Sequence, residues 1–268
     1  MDQDSPLGKA TTFSSHYDPA LLFAIPRAES RSALDLGNDL PFNGCDIWTA
    51  WELSWLNPAG VPQVASAEIL VPAYSPNLIE SKSLKLYLGS FAMTSVASTD
   101  ELQRMIEADL NACTESDIEL RLHSSGDETD IEEFGGTCID STDAHCDVYD
   151  VDAGLLQVGE EIVSETLHSH LLRSLCPVTD QPDMGGVSVT YKGPRIDQTA
   201  LLKYIVSFRE HNDFHEACVE RMFMDISERC KPEQLTVYAR YQRRGGIDIN
   251  PFRSNFEAPP SRMRLRRQ

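Results

Sequence analysis

The sequence predicts an α+β fold made of two tandem copies of one domain, each with two helices packed on one face of an antiparallel sheet. Three observations predict it. The first is an internal repeat: ESKSLKLYLGSF at 80–91 aligns without a gap with DQTALLKYIVSF at 197–208, an offset of 117 residues (197 − 80). Leu84 falls on Leu201, Tyr87 on Tyr204, Ser90 on Ser207 and Phe91 on Phe208. The same offset carries RMIEADLNAC at 104–113 onto RMFMDISERC at 221–230, and one offset holding over two separate segments marks a duplication. The second observation is alternation of apolar and polar residues before each repeat, and the third is helical spacing within it.

Taken in order, VASAEILV (64–71) and GVSVTYKG (186–193) alternate as strands do. Leu84, Tyr87, Leu88 and Phe91 recur at i, i+3, i+4 and i+7, and so do Leu201, Tyr204, Ile205 and Phe208, which predicts one helix in each copy. A second helix follows at 100–113 and 214–230, then a strand at 118–124 and 235–241, with partner strands nearby. The implied division is 1–125, an acidic linker at 126–160, and 161–268. Within the Asp- and Gly-rich linker stretch only CDVYDVDA reads as a strand. Residues 1–40 are expected to wrap over the first domain, and the basic tail SRMRLRRQ to be exposed.

The formal net charge of −19, from 42 acidic and 23 basic residues, excludes a general nucleic-acid binder, which needs a basic footprint. No apolar run approaches the ~20 residues that cross a bilayer, and the polar N-terminus has no secretory character, so a soluble cytoplasmic protein is expected. The seven cysteines have irregular spacings and no CxxC, which points to reduced thiols rather than a zinc knuckle or a redox pair.

Four segments could carry chemistry. Cys176, in LLRSLCPVTDQPDMGG, stands where a strand must end, because Pro177 and Pro182 cannot continue a central strand. A thiol needs help to become a thiolate, and Asp183, across a turn, could move protons, although a lone cysteine is commonly a small buried hydrophobe. HNDFHE places His215 and Glu216 at the start of a helix. His211 and His215 make an HxxxH, but no third ligand is evident and no metal is expected. Glu80, Ser81 and Lys82 open the first helix of copy one, suiting either an ordinary polar first turn or an anion held by Lys82 and exposed N–H groups. Arg243, Arg244 and Gly245, in RRGGID, suit phosphate binding or a tight charged hairpin. No GxGxxG and no GxxxxGK[ST] is present, so neither a Rossmann domain nor a P-loop is supported.

Together these segments resemble the NADPH-dependent 7-cyano-7-deazaguanine reductases (QueF) in their long, two-module form. The resemblance runs from about residue 17 to the C-terminus and rests on DIWTAWELSWLNPAG, NLIESKSLKLYLGSF, CPVTDQPD, SFREHNDFHEACVERMF and YARYQRRGGIDINPFRSN. It implies the tunnelling fold (T-fold), in which ββααββ units assemble sheets into a barrel. It implies that Cys176 adds to the nitrile carbon as a covalent thioimide, with Asp183 as proton donor and His215 beside the substrate. Ile79, Glu80, Ser81 and Glu216 would line the deazaguanine pocket. Ser81, Lys82, Arg244 and Gly245 would meet NADPH, two of which are used per turnover. A homodimer making an intermediate of tRNA queuosine biosynthesis is implied, with a 7-deazapurine as small-molecule partner and no direct nucleic-acid contact. Met184 stands where the family usually carries an aromatic residue, and Asp180 where other members differ. The alternatives are a pterin-type relative on the same fold, a cysteine hydrolase of nitriles or amides, and a non-catalytic purine-binding module.

Overall fold

The computed structural model of the chain describes residues 13–37, 39–124, 130–260 and 262–268. In chain order the elements are β1 (Ala24–Pro26), α1 (Ala28–Ser32), β2 (Asn43–Leu56), β3 (Pro62–Pro72), β4 (Asn77–Ile79), α2 (Ser81–Gly89), α3 (Thr99–Thr114) and β5 (Glu119–Ser124). Then come β6 (Ile131–Glu132), β7 (Thr137–Cys138), β8 (Val158–Leu175), β9 (Pro182–Ile196), α4 (Gln198–Ser207), α5 (His215–Cys230), β10 (Gln234–Tyr241), β11 (Ile247–Ser254) and β12 (Arg264–Leu265). The chain divides into two compact units. The first holds Met1–Ser32, Asp46–Glu128 and Arg243–Asp248, and the second holds Ala33–Cys45, Thr129–Gln242 and Ile249–Gln268.

In the first unit the strands run in the order β5-β3-β2, with β3 and β5 antiparallel from Ala65↔Ser124 to Leu70↔Glu119. A two-stranded ribbon of β1 and β4 lies before α2 and pairs Ala24 with Ile79. Alternation sends Ala67 and Ile69 of β3 into the core, and the apolar stripe Leu102, Ile106 and Leu110 of α3 is buried as well. Beneath this packing Arg27 and Asp46 form a fully buried ion pair at 2.5 Å, with Ser75 Oγ accepting from Arg27 Nε.

In the second unit the order is β11-β10-β9-β8-β7. The pairs β8–β9, β9–β10 and β10–β11 are antiparallel. The short β7 runs parallel to β8, with Cys138 opposite His168, which departs from the antiparallel expectation. Arg253 of β11 donates from Nε (3.1 Å) and from a terminal nitrogen (2.8 Å) to one carboxylate oxygen of Glu220 on α5. Both side chains are buried, so this pair fastens helix to strand.

The internal repeat is visible in single contacts. Tyr87 donates to Asp109 Oδ2 at 2.6 Å, and Tyr204 donates to Asp225 Oδ2 at 2.7 Å. Ser90 and Ser207 each donate back to the carbonyl of that tyrosine. Phe91 and Phe208 sit edge-on to the tyrosines, both at 5.4 Å. α3 and α5 end alike, on left-handed residues, Glu115 at φ 54° and Lys231 at φ 48°. Burial, with the adjoining carboxylate adding to it, holds both phenols far above their ordinary pKa, so each remains a donor. Asp109 also accepts from Tyr17 at 2.8 Å. Tyr204→Phe should therefore cost about 1–3 kcal/mol in a urea titration, and Tyr87→Phe less, since Tyr17 still serves Asp109.

Several sequence expectations need correcting. CDVYDVDA forms no strand: Asp152 instead caps a short 3-10 turn by accepting from Gly154 N at 2.8 Å. The short strands of this region lie earlier, at Ile131–Glu132 and Thr137–Cys138. The tail is not simply exposed. Gln268 is buried, accepts from Arg240 Nε at 2.5 Å and donates to Tyr241 O and Asn250 Oδ1, while β12 pairs with β6. The Gln268 amide is buried with both donors and its acceptor satisfied, while the flanking Arg266 and Arg267 are exposed. Of residues 1–40, those from Ala33 onward belong to the second unit, not the first.

Candidate active site

The second unit holds Cys176, Asp183, His215 and Glu216. Strand β8 ends at Leu175 because Pro177 follows Cys176 and supplies no ladder donor, and β9 restarts at Pro182. The turn between them is pinned from both sides. Cys176 N donates to Gln181 O (2.9 Å), and Asp180 N donates to Cys176 O (3.0 Å). Asp180 adopts a left-handed φ of 54°, and its carboxylate accepts from Asn212 Nδ2 at 2.6 Å. Leu175 N donates to His211 O, and Leu175 O accepts from Asp213 N, so the segment leading into α5 clamps the residue before the thiol. Asp180, which the sequence shows only as an extra charge near Cys176, thus braces the turn. Cys176 itself is 7% exposed, less open than the end of a strand suggests.

Register then brings the second carboxylate in. Asp183 lies on β9 opposite Ser174 of β8, and its Oδ2 is 3.1 Å from His215 Nε2. The His215 ring stacks on Tyr241 at 3.8 Å and 5°, which fixes the plane of the imidazole. With Nε2 directed at Asp183, Nδ1 is buried and has no hydrogen-bond partner among the described residues, so it is available to a polar group of a bound molecule. Glu216, at 3% exposure, is the next residue of α5. His211 turns instead toward Asp213 (3.7 Å), so the two imidazoles of HxxxH have different carboxylate neighbours. Cys218, one turn into α5, is fully buried. Burial first, then Asp213 and Glu216, push its thiol far up, which leaves it inert at neutral pH. Met184 follows Asp183 on the strand, so its side chain takes the opposite face. There it lines a cavity of about 490 Å³ with His170, Gly185, Arg240 and Gln242.

The first unit holds Ile79, Glu80, Ser81, Lys82, Arg244 and Gly245. Ile79 is buried at the end of β4, and the chain turns from it directly into α2. Glu80 is the N-cap: its two carboxylate oxygens accept from Lys82 N and Ser83 N, each at 2.7 Å. Those N–H groups are therefore already used, and an anion at this turn would rely on Lys82 and not on the helix end. Complete burial raises the Glu80 pKa, and the two backbone bonds oppose the rise. Asp197 caps α4 in the same way through Ala200 N.

Arg244 and Gly245 belong to a tight hairpin closed by Arg244 N donating to Ile247 O at 2.9 Å. Gly245 and Gly246 take φ of +61° and +81°, which side-chain-bearing residues rarely adopt. A Cβ on Gly245 would lie 3.2 Å from Lys85 Cδ, so this turn abuts α2 one helical turn beyond Lys82. Arg243 lies over the Trp51 ring at 5.5 Å, and Trp51 Nε1 donates to Asp248 Oδ2 at 2.5 Å. Lys82, Lys85, Arg243 and Arg244 thus supply four cationic groups within one unit of an acidic chain, a donor set that fits the phosphates of a dinucleotide. Sequence reasoning passed over Trp51 and Tyr241. Only the aromatic repetition in WTAWELSW and YARY hinted at them.

Comparison with known proteins places these features in a family. Residues 13–122 match the model described as nitrile reductase, 7-cyano-7-deazaguanine-reductase N-term, and residues 182–260 match that of QueF-like protein. The chain is 52% identical over 271 residues to the NADPH-dependent 7-cyano-7-deazaguanine reductase of Burkholderia multivorans, covering 99% of both chains. It is 51% identical, with the same coverage, to the enzyme of that name from Paraburkholderia xenovorans. Among solved structures, the archaeosine synthase QueF-Like in the apo form is similar over 38% of this chain and 99% of its own, at 17% identity and a TM-score of 0.32. Matched along its whole length at this identity, the chain belongs to the QueF family of 7-cyano-7-deazaguanine reductases.

Proposed function

We propose that this protein reduces the nitrile of 7-cyano-7-deazaguanine to the primary amine with NADPH, by way of a covalent adduct on Cys176, in tRNA queuosine biosynthesis. The observation that carries this reading is the pinned Cys176 turn beside the Asp183–His215 pair, in a chain about half identical to named reductases throughout its length. Attack by sulfur forms a C–S bond and breaks one π bond of the nitrile. The nitrogen gains a proton, and the thiol loses one. Asp183 is the group that moves protons, and the contact with His215 Nε2 gives the proton a second place to reside. The resulting C=N accepts hydride far better than a nitrile does. NADPH, when bound, supplies the hydrides, two per nitrile. Cys176 is released when the C–S bond breaks. Glu216 accepts N–H donors from the deazaguanine and His215 Nδ1 meets a polar atom of it; Ile79, Glu80 and Ser81, in the first unit, are the other residues that the resemblance assigns to the substrate. Ser81, Lys82, Arg244 and Gly245 hold the dinucleotide.

Asp183→Asn should lower kcat roughly 10²–10⁴-fold while the protein still binds the nitrile. We further infer two T-fold modules of the ββααββ type, at 1–125 and 161–268 around a 126–160 linker. The second shows β8-β9-α4-α5-β10-β11 in order, and the first shows β2-β3-α2-α3-β5. Among the described residues β5 ends the strand order of its unit, so its outer edge can accept a second copy in a homodimer. A cytoplasmic home fits seven cysteines that form no disulfide, and among the described residues no helix is long and apolar enough to cross a membrane.

The deciding experiment follows the nicotinamide absorbance of purified protein with 7-cyano-7-deazaguanine added. Two NADPH consumed per nitrile is the expected result. Nitrile loss without NADPH oxidation would replace the reading by a hydrolase, and binding with neither would replace it by a non-catalytic module.

A further inference from the structure

We propose that Cys138, His168 and His170 form a binding site for zinc or a similar borderline-soft divalent cation, using none of the residues assigned to the nitrile chemistry. One ligand atom from each of the three lies within 4.8 Å of the others. The fold creates the cluster in two steps. Parallel pairing of β7 with β8 sets Cys138 opposite His168. The two-residue period of β8 then puts His170 on the same face as His168, with ring centroids 5.3 Å apart.

The surroundings prepare these side chains as ligands. His168 Nδ1 is 3.0 Å from Gly135 O. A carbonyl only accepts, so Nδ1 of the neutral ring carries the proton and the Nε2 lone pair is left for a metal. Phe134 stacks against His170 at 6.0 Å and 24°. Ile139 N donates to His168 O, and Asp140 accepts from Ser169 Oγ (2.6 Å) and from His170 N, across the stretch where the β8–β9 register shifts. The loop carrying Cys138 comes this close because residue 136 is glycine: at φ +82°, a Cβ there would stand 2.1 Å from Thr166 O.

Tetrahedral zinc, with bonds of ~2.0–2.1 Å to nitrogen and ~2.3 Å to sulfur, sets its ligand atoms about 3.3–3.7 Å apart. Closing the gap from 4.8 Å asks about 1 Å of the exposed Cys138 and the half-buried His170, which rotamer changes supply. One thiolate and two imidazoles select zinc or cobalt over magnesium or calcium, which prefer all-oxygen ligands. Glu133, exposed and with Oε2 3.8 Å from His170 Nε2, or a water can complete the shell. The Cys138 thiol gives up its proton to solvent as the metal binds. Bound metal would staple the 134–140 loop to β8.

The test uses the full chain, reduced and stripped with a chelator, titrated with Co²⁺. One equivalent should produce d–d bands and a thiolate-to-cobalt charge-transfer band, both removed by stoichiometric Zn²⁺. The charge-transfer band should vanish in Cys138→Ser, whose exposed position threatens no packing, and survive in Cys176→Ser. His168→Gln and His170→Gln should each weaken Zn²⁺ binding roughly tenfold or more against a chromophoric chelator. Zn²⁺ should raise the Tm of the wild type and not that of Cys138→Ser. Absence of the bands in wild-type protein overturns the proposal, and so does a charge-transfer band that persists in Cys138→Ser.

Discussion

Cys176→Ala should abolish nitrile-dependent NADPH oxidation, lowering the rate by at least about 10³-fold, while the 7-deazapurine still binds. The size of the effect follows from the role. Without sulfur there is no covalent C=N, and a free nitrile is a poor hydride acceptor. The cost to the fold should be small, because Cys176 contributes backbone bonds to the turn that alanine makes equally well, through its N–H to Gln181 and its carbonyl to Asp180. Single-turnover mass spectrometry separates the cases. The wild type should gain the mass of the nitrile when NADPH is withheld, and Cys176→Ala should not. Rates near wild type in the alanine variant would sink the covalent route and leave the family assignment standing.

The largest expected effect on stability is at Arg253. Arg253→Ala should cost about 3–5 kcal/mol, because it leaves Glu220 charged and buried without its main partner. The same guanidinium donates to Cys45 O (3.2 Å) and Phe252 O (3.0 Å) and lies over the Phe42 ring at 5.6 Å. Its loss therefore also removes one donor from each of those carbonyls. A cost of that size is a large share of the ~5–15 kcal/mol that holds a domain folded. Urea unfolding is the measurement. Combining Arg253→Met with Glu220→Leu should recover much of the loss, since two apolar side chains leave no buried charge behind. A double variant as unstable as the sum of the two singles would show that the pair is not coupled.

Elements with strong periodicity were legible to within a few residues. α3 is read as 100–113 and observed as Thr99–Thr114, because Leu102, Ile106 and Leu110 must all face one way. The duplicated Tyr, Ser and Phe positions were legible because each pair makes the same bonds. What escaped has physical causes. The full lengths of β2 and β8, 14 and 18 residues, mix buried and exposed stretches, so no single alternation runs through them. The linker strand failed because Asp152 spends its side chain on a turn. At the candidate site, Cys176 was found from the prolines around it. The Asp183–His215 contact joins residues 32 apart in sequence, and a register match plus a helix start, not spacing, brings them to 3.1 Å. The Tyr241 stack and the Cys138–His168–His170 cluster depend on pairing between strands, which no local pattern encodes.

The division of the chain into units bears on how such a duplicated protein is inherited. Neither unit is a continuous stretch: the first takes Arg243–Asp248 from far downstream, and the second takes Ala33–Cys45 from far upstream. A gene split anywhere in the 126–160 stretch would yield two fragments, one short of the RRGGI hairpin and the other short of the stretch ending in Cys45. Simple deletion of either half would therefore also remove a segment of the unit that remains. Two such fragments would have to be expressed together and exchange these segments to rebuild what the single chain has.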